Sequence, residues 1–280
     1  LSASEGIRVP AGDFSAKIMV KVGQLDSKDF PANKKYAIPL SITGASNYSL
    51  IPSQRSAILL LNRSILSSVA KVSGGEGIRI KPVGMHTKAE WTIQMSAIYS
   101  SLTRSNLTTA YLSNGTGGEF YTRISSTAGI QVKNGRDGDD TWTQIPLQAG
   151  KWLHITYVHK DKKTTVYVNG KVQKVFENSA ITFGENSMIV VGNSGYRNDY
   201  LREIRLWDKA LTESEINDYL YLPMDPATPH LISYLPLSKE METKDLKAPA
   251  GTENVTTKAR IEYVENVKFP ADELVIVNQE

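Results

Sequence analysis

The 280-residue chain has a formal net charge of +3, no cysteine and 40% hydrophobic residues. A chain of this length can bury a stable hydrophobic core without a disulfide or a structural metal. The lack of cysteine excludes thiol catalysis, disulfides and thiolate metal sites. The densest basic run, "HKDKK" at 159–163, is short and broken by Asp161. A nucleic-acid footprint needs a longer stripe of Lys and Arg with aromatic partners, so we expect no nucleic-acid partner. No apolar run approaches the roughly 20 residues that span a bilayer.

Alternation of apolar and polar residues dominates the chain, in short runs closed by Gly, Pro, Asn or Asp. This pattern predicts antiparallel strands and an all-β fold. The predicted strands include residues 15–22, 35–43, 56–62, 91–99, 152–159, 164–170, 187–192 and 203–207.

A break in the pattern falls at "KVSGGEGIRIKP", residues 71–82. Its Gly and Ser content is typical of a linker, and strands resume beyond it. The sequence therefore predicts a small β domain at 1–71 and a larger sandwich at 72–280. The first unit is small for a β domain that stands alone.

Two tight turns are predicted within "GKWLHITYVHKDKKTTVYVNGKV", residues 150–172. The polar turn "KDKK" separates two alternating strands, and Asn169-Gly170 opens a second turn because both residues accept positive φ angles. Both faces of the first strand carry bulky residues, which is expected inside a sandwich.

One segment, "LTESEINDYL" at 211–220, predicts a helix. Thr212 and Glu215 have the spacing of a capping box, in which the hydroxyl and the carboxylate each accept from a backbone N–H at the helix start. Leu211, Ile216 and Leu220 mark its apolar side.

The 150–172 hairpin resembles the hallmark of laminin-G-like domains in the concanavalin A-like lectin/glucanase superfamily. Such domains show a Trp-x-His strand, a polar turn and a Val-x-Tyr-Val-Asn-Gly-Lys strand. They later show Arg-Leu-Trp, Ala-Leu-Thr and a short helix, as in "EIRLWDKALTESEI" at 203–216. The resemblance covers about residues 77–270 and implies a concanavalin A-like jelly-roll β-sandwich.

The N-terminal unit resembles the family called domain of unknown function 1735, through "ANKKYAIPLSITGAS" and "LIPSQRSAILLL" in residues 32–61. Members are small β domains at the front of exported lipoproteins and endoglycosidases of glycan-foraging gut bacteria. The resemblance implies an exported protein at the bacterial outer-membrane surface or in the periplasm. Because the chain opens on Leu1, we expect a trimmed chain that meets the membrane only through a removed lipid anchor.

Catalytic motifs of the superfamily are not found in the sequence. Its glucanases place a Glu-x-Asp-x-x-Glu motif on one strand, because glycoside hydrolysis needs two carboxylates about 5–9 Å apart. Here Glu203 is followed two positions later by Arg205. The four histidines lack the i, i+4 spacing of a helical zinc site. We therefore expect no enzyme, with a glycoside hydrolase as the less favoured alternative.

The stretch "NGRDGDDTW", residues 134–142, fits three interpretations. Asn134-Gly135 alone indicates a turn between two strands. Calcium needs six to eight oxygens, and Asp137, Asp139 and Asp140 are the candidate ligands. Related laminin-G and pentraxin domains bind calcium in such loops, so calcium is the one cofactor considered.

The third interpretation is a sugar site, because an aromatic ring offers its flat face to a pyranose while polar groups fix the hydroxyls. A second polar and aromatic segment, "GYRNDY" at 195–200, is predicted to be a loop of similar composition. The candidate carbohydrate-binding residues are Arg136, Asp139, Trp142, Tyr196, Arg197, Asn198 and Tyr200. Burial of Trp142 and Tyr200 in the core is the competing explanation.

The resemblance and these two segments together predict a non-catalytic carbohydrate-binding module. Its ligand would be an oligosaccharide or glycan, and its partners the outer-membrane proteins of a glycan-uptake system. The rival prediction is a structural, adhesion or protein-interaction domain, because laminin-G sandwiches often bind proteins.

Overall fold

The computed structural model of the protein describes residues 6–23, 25, 29–30, 36–61, 64–83, 88–111, 120–133, 138–177, 181–184, 186–192 and 196–278. For residues 104–111 and 196–197 the description is of the backbone. Two antiparallel sheets form a sandwich, and a separate two-stranded hairpin precedes it. The predicted all-β sandwich with a small N-terminal β unit is thereby confirmed.

Strands and helices follow one another along the chain with short connections. The strands are β1 (Tyr36–Ser41), β2 (Ser56–Leu61), β3 (Ile65–Gly74), β4 (Ile78–Ile80), β5 (Trp91–Ile98), β6 (Thr103–Tyr111), β7 (Phe120–Ser125), β8 (Gly129–Lys133), β9 (Trp152–Lys160), β10 (Lys163–Val168), β11 (Lys171–Glu177), β12 (Met188–Val191), β13 (Tyr196–Trp207), β14 (Leu231–Leu235), β15 (Val255–Thr256) and β16 (Arg260–Phe269). The helix is α1 (Glu213–Asp218), and 3₁₀ turns cover Pro52–Gln54 and Asp139–Thr141.

The larger sheet has the strand order β11-β10-β9-β5-β13-β3-β16, with β14 also paired to β13. The smaller sheet has the order β15-β4-β12-β6-β7-β8. Successive side chains of a strand point to opposite faces, so alternate residues of each sheet meet in the core between them. Ile93 and Met95 of β5 lie there with Ile155 of β9, Phe120 of β7 and Ile189 of β12.

The predicted turns of the 150–172 hairpin are confirmed and are tighter than the sequence indicated. Asp161 and Lys162 alone separate β9 from β10, and both have positive φ. Asn169 and Gly170 form the next turn, where the Asn169 side chain accepts the backbone N–H of His154 at 2.8 Å. A side chain at Gly170 would collide with Asn217, because a Cβ there would lie 2.0 Å from its Oδ1.

Helix α1 is shorter than the predicted helix but is capped as expected. Thr212 accepts the backbone N–H of Glu215 at 3.3 Å, and Glu215 accepts the backbone N–H of Thr212 at 2.9 Å. Ile216 is fully buried against Trp207 and Leu211.

The N-terminal region contains β1 and β2, which pair only with each other among the described strands. The strand predicted at 15–22 is wrong, since these residues form no strand. Alternation predicts a strand only where a neighbouring strand offers its edge. Strand β3 continues through the predicted division after residue 71, and Gly74 and Gly75 turn the chain from one sheet towards the other with positive φ. The limits of the two predicted domains stay a prediction.

Candidate functional site

An open cleft of about 500 Å³ lies beside β4, β12 and β15, at one edge of the smaller sheet. Strand alternation explains its lining, because Ile78 and Ile80 point into the core while Arg79 and Lys81 point outwards. The lining residues are Arg79, Lys81, Pro82, Val83, Met188, Thr252, Glu253, Asn254 and Thr256.

The basic side of the cleft is held in place by an ion-pair network. Glu76 accepts Arg79 Nη2 at 3.1 Å and Lys258 Nζ at 3.2 Å. These two donors, with Lys258 the stronger, hold the pKa of Glu76 below its usual range. Arg79 is thus oriented before any ligand arrives, whereas the exposed Lys81 side chain extends towards solvent.

The polar side of the cleft is a loop anchored through a buried carboxylate. Asn254 Nδ2 donates to Asp245 Oδ2 at 2.8 Å and to the Lys81 carbonyl at 3.1 Å. Asp245 also accepts Ser233 Oγ and the backbone N–H of Tyr234, at 2.7 and 2.9 Å. These bonds tie residues 252–254 to β14, so the loop beside the cleft is preorganised.

The chemistry available in the cleft is hydrogen bonding over a partly aliphatic surface. Met188, Pro82 and Val83 supply the apolar part, and Thr252 and Thr256 supply hydroxyls. Glu253 is the one carboxylate among the nine lining residues. Such a lining can hold a polyhydroxylated ligand, whereas it lacks the paired carboxylates of glycoside hydrolysis.

The predicted calcium ligands lie in the loop after β8. Asp139 and Asp140 are exposed within the 3₁₀ turn, and Asp137 falls outside the described residues. In the part of the chain that the structure describes, no three His, Asp or Glu side chains are gathered as a metal site. The fit of calcium to this loop stays a prediction that depends on Asp137.

The predicted sugar residues of the same loop differ in their exposure. Trp142 is only 5% exposed, so its ring packs inside the fold and presents no open face to a pyranose. Lys174 Nζ donates to the carbonyls of Asp140 and Trp142 at 2.8 and 2.7 Å, which fixes the loop to β11. Arg136 lies outside the described residues.

The segment 195–200 was expected to be a loop, but residues 196–200 form the start of β13. The backbones of Tyr196 and Arg197 pair with β3. Asn198 is exposed at a strand irregularity with positive φ, whereas Tyr200 is half-buried. Residues 196–200 have the polar composition of a loop because they lie at the end of the sheet, where some side chains reach solvent.

The described residues of the two predicted sugar segments lie beside different strands of the larger sheet. The 138–142 loop is bound to β11, and residues 196–200 belong to β13, which is four places away in the same sheet. At about 4.8 Å per strand the separation between β11 and β13 is about 19 Å.

A buried charge cluster on β13, which sequence reasoning missed, covers the outer face of the larger sheet. Glu203 accepts Arg205 Nη2 at 2.6 Å and Tyr234 Oη at 3.0 Å, and Arg202 lies 3.5 Å from it. Burial lowers the pKa of Arg202 and raises that of Tyr234. The one signal for this cluster in the sequence is the alternation of charged and large apolar residues in "REIRLW", residues 202–207.

The segment after α1 closes this sheet face over the cluster. Arg202 and Arg205 donate to the carbonyls of Tyr221, Tyr219 and Leu222 at 3.3, 3.0 and 2.5 Å. His154 lies on the same face and bonds Ser96 at 2.6 Å, and burial holds its pKa well below the usual value. These polar groups fasten chain to sheet and form no open cleft.

The two-sheet fold defines a lectin-like β-sandwich class, and the sequence places the chain within it. A laminin-G family model, described as concanavalin A-like lectin/glucanases superfamily, matches residues 73–217, slightly more than half of the chain. The protein therefore belongs to this superfamily. No curated protein sequence matches the chain significantly.

Several solved structures share the fold at low sequence identity. A proposed carbohydrate-binding protein from Bacteroides ovatus aligns with a TM-score of 0.57 and 18% identity, over 88% of this chain and 72% of that chain. A pentraxin from Limulus polyphemus aligns with a TM-score of 0.47 and 14% identity, over 71% and 94%. A Trypanosoma rangeli sialidase mutant aligns with a TM-score of 0.40 and 16% identity, over 55% of this chain and 28% of that chain. Only the first score exceeds 0.5, so it alone bears on the fold.

Among the described residues, none of the helical segments has the length and apolar character required to span a membrane.

Proposed function

We propose that this protein is a non-catalytic carbohydrate-binding module that captures glycans for a bacterial uptake system. The observation that carries the proposal is the cleft beside β4, which combines oriented polar groups with an aliphatic surface on a rigid sandwich. A volume of about 500 Å³ is suited to a short saccharide. The fold shared with the Bacteroides ovatus protein supports the same class of ligand.

Each group of the cleft has a definite part in this binding. Lys81 and Arg79 donate to ring and hydroxyl oxygens, and Glu253 accepts from hydroxyl groups. Met188 packs against the C–H side of a sugar ring. Charge-assisted hydrogen bonds of this kind contribute about 1.5–3 kcal/mol each, which suits reversible, millimolar to micromolar binding.

Binding without turnover is proposed because one carboxylate in a cleft cannot serve as both acid and nucleophile or base. Glu253 is alone among the lining residues, and the buried Glu203 is occupied by two arginines and a tyrosine. Among the described residues that line the cleft, Glu253 therefore has no second carboxylate to act with.

The cellular setting is proposed from the sequence resemblance of residues 1–66 to the domain of unknown function 1735. On that basis the protein is exported, held at the outer-membrane surface through a removed lipid anchor, and associated with outer-membrane glycan-uptake proteins. The loop at 134–142 and the start of β13 are proposed as secondary contacts, through Arg136 and Asp139 in the loop and Tyr196, Arg197 and Asn198 in the strand. Calcium at Asp137, Asp139 and Asp140 is proposed as an optional support of the first loop.

The test is a glycan array followed by calorimetric titration of the best glycan. Lys81→Ala and Glu253→Gln are expected to weaken binding by about tenfold or more, because each removes a charge-assisted hydrogen bond. Lys163→Ala is the matched control, since this exposed lysine of β10 pairs with Glu177 of β11 in the larger sheet and neither residue lines the cleft. Unchanged affinity in both cleft variants would remove the cleft from the proposal.

Two other results would replace the proposed function. No binding to any glycan, together with a stable stoichiometric protein partner, would favour a protein-interaction or structural domain. Release of reducing sugar from the bound glycan, abolished by Glu253→Gln, would make the protein a glycoside hydrolase.

A further inference from the structure

Exposed apolar side chains are concentrated in the N-terminal region. Of the 21 large apolar residues that are exposed in the described part of the chain, 14 lie between Ile7 and Leu66. The hairpin contributes two of the most open, with Ile58 at 68% and Leu60 at 72% exposure. A concentration of exposed apolar side chains of this kind marks an interaction surface.

Both faces of the β1–β2 hairpin are apolar. Tyr36, Ile38 and Leu40 of β1 share one face with Leu59 and Leu61 of β2. Ile58 and Leu60 lie on the opposite face with Ala37 and Pro39. Strands that are apolar on both faces are typical of sheets buried on both sides. A two-stranded hairpin is only marginally stable by itself in water.

The hydrogen-bond pattern shows which backbone groups of β2 point away from β1. The N–H of Ile42 donates to the carbonyl of Arg55 at 2.8 Å, so this pair is a hydrogen-bonded one. Antiparallel strands alternate between hydrogen-bonded and non-hydrogen-bonded residue pairs. Counting from Ile42 and Arg55, the pair of Pro39 and Ile58 is a non-hydrogen-bonded one. This agrees with the lack of an N–H group in proline. The N–H and C=O groups of Ser56, Ile58 and Leu60 therefore point outwards along β2.

The two edges of the hairpin differ in how they are protected. Pro39 places a residue without an N–H on the outer edge of β1, which is the position that proline takes on terminal strands. The β2 sequence "SAILLL" has no proline and no charge. Edge strands that face solvent normally carry such blocking residues, so β2 has the character of an interior strand.

We propose that β2 pairs antiparallel with β2 of a second copy of this chain, across a two-fold axis at Ile58. In this register Ser56 is opposite Leu60 of the copy, so all the outward groups of Ser56, Ile58 and Leu60 find partners. Leu59 is opposite Ala57 of the copy, which sets a large side chain against a small one. The result is a closed four-stranded sheet with Pro39 at both outer edges.

Charge and backbone chemistry favour a second copy over a lipid surface. The nearest described cation is Arg55, which would be opposite Leu61 of the copy. The two Arg55 side chains of the dimer would then be six residues, or about 20 Å, apart. At physiological salt that distance is beyond the range of strong repulsion. An anionic bilayer would suit the exposed apolar and basic residues of this region. It would leave the outward N–H and C=O groups of β2 without partners, which is costly in an apolar medium.

Single cysteine variants test the register, because the native chain contains no cysteine. Ile58→Cys is expected to give a disulfide-linked dimer under mild oxidation, since directly opposite residues have Cα atoms about 5.5 Å apart. Leu60→Cys is the register control, because its counterpart in the copy lies four residues, or about 14 Å, away. Val175→Cys, at a 48% exposed site on edge strand β11, is the control for random collision.

Cross-linking of all three variants to the same extent, or of none, would overturn the proposed pairing. Efficient cross-linking of Leu60→Cys alone would overturn the register. Circular dichroism of each variant checks that the sandwich is intact.

Sedimentation velocity tests the dimer itself. The native chain is expected to sediment as a dimer at micromolar concentrations, and Ile58→Lys as a monomer, because two lysines would then face each other on the axis. Val175→Lys is expected to remain a dimer. A monomeric native chain, or a dimeric Ile58→Lys variant, would overturn the proposal. Binding of the monomeric native chain to anionic vesicles, lost in Ile58→Lys, would assign the surface to lipid.

Discussion

The N-terminal hairpin and the sandwich contain similar strands in different surroundings. In β5 the side chains on both faces are buried: one face packs against the smaller sheet, and the other bonds to residues 207–211. In β2, by contrast, Ile58 and Leu60 are mostly exposed although the strand is as apolar. The difference shows that an apolar strand contributes stability only where a second layer covers it, because the hydrophobic effect scales with the area removed from water.

The largest expected effect is the loss of a buried aromatic residue from the sandwich. Trp91 is fully buried, stacks on His159 and donates its indole N–H to the Ile181 carbonyl at 2.9 Å. Trp91→Ala is expected to lower the free energy of unfolding by about 3–5 kcal/mol in urea titrations. Leu60→Ala, measured on the monomeric Ile58→Lys background, is expected to change it by less than about 0.5 kcal/mol. Equal losses would show that the hairpin is covered within a single chain.

A second expected effect concerns the charge cluster that fastens the outer face of the larger sheet. Glu203→Gln keeps the shape of the side chain but leaves Arg202 and Arg205 buried without their carboxylate. Removing one partner of a buried pair costs about 3–5 kcal/mol. Glu177→Gln is the matched control, because its pair with Lys163 is exposed and is worth at most about 1 kcal/mol. Similar losses in the two variants would contradict the structural importance of the buried cluster.

A smaller effect is expected on acidification, again in the sandwich and not in the hairpin. Ile181 N–H donates to His159 Nε2 at 3.2 Å, and His159 Nδ1 bonds Thr164 Oγ1 at 3.0 Å, which fixes a neutral imidazole. Burial lowers the pKa of His159 from 6.5 to about 4. The unfolded chain therefore binds more protons between pH 6.5 and 4. The contribution of neutral His159 to the free energy of unfolding is fully present above pH 6.5. As the pH falls to 4, this contribution decreases by about 2–3 kcal/mol.

Urea unfolding at several pH values between 7.5 and 4 measures this dependence. His159→Gln, which cannot be protonated, is expected to show a shallower decline than the native chain. His154, whose pKa is lowered by burial and by the two nearby arginines, keeps part of the slope in that variant. An unchanged slope in His159→Gln would contradict the prediction.

Much of the sandwich was predictable from the sequence, because its signals are local. The turn at Asn169-Gly170 needs positive φ angles, and the capping box of Thr212 and Glu215 involves residues three apart. The composition of residues 195–200 predicts a loop, whereas residues 196–200 begin β13, because polar residues at the end of a sheet have the composition of a turn. Residues 15–22 have the periodicity of a strand, but among the described strands none pairs with them.

The candidate site was much less predictable, because its parts are distant in the sequence. Arg79 and Lys81 meet Asn254 only through the pairing of β4 with β15, and Asp245 anchors that loop from a third segment. The aromatic residue most favoured by composition, Trp142, is buried. No pattern of neighbouring residues shows which face of a strand will be covered.

The sequence by itself determined the strands, their turns, the capped helix and the lectin-like class of the sandwich, because each depends on backbone preferences and spacing along a few residues. Tertiary structure alone decided which polar groups line a cleft, which are buried as a cluster, and which apolar strand remains uncovered. Those outcomes depend on burial, and burial is set by segments that are far apart in the chain and become neighbours only when the two sheets pack.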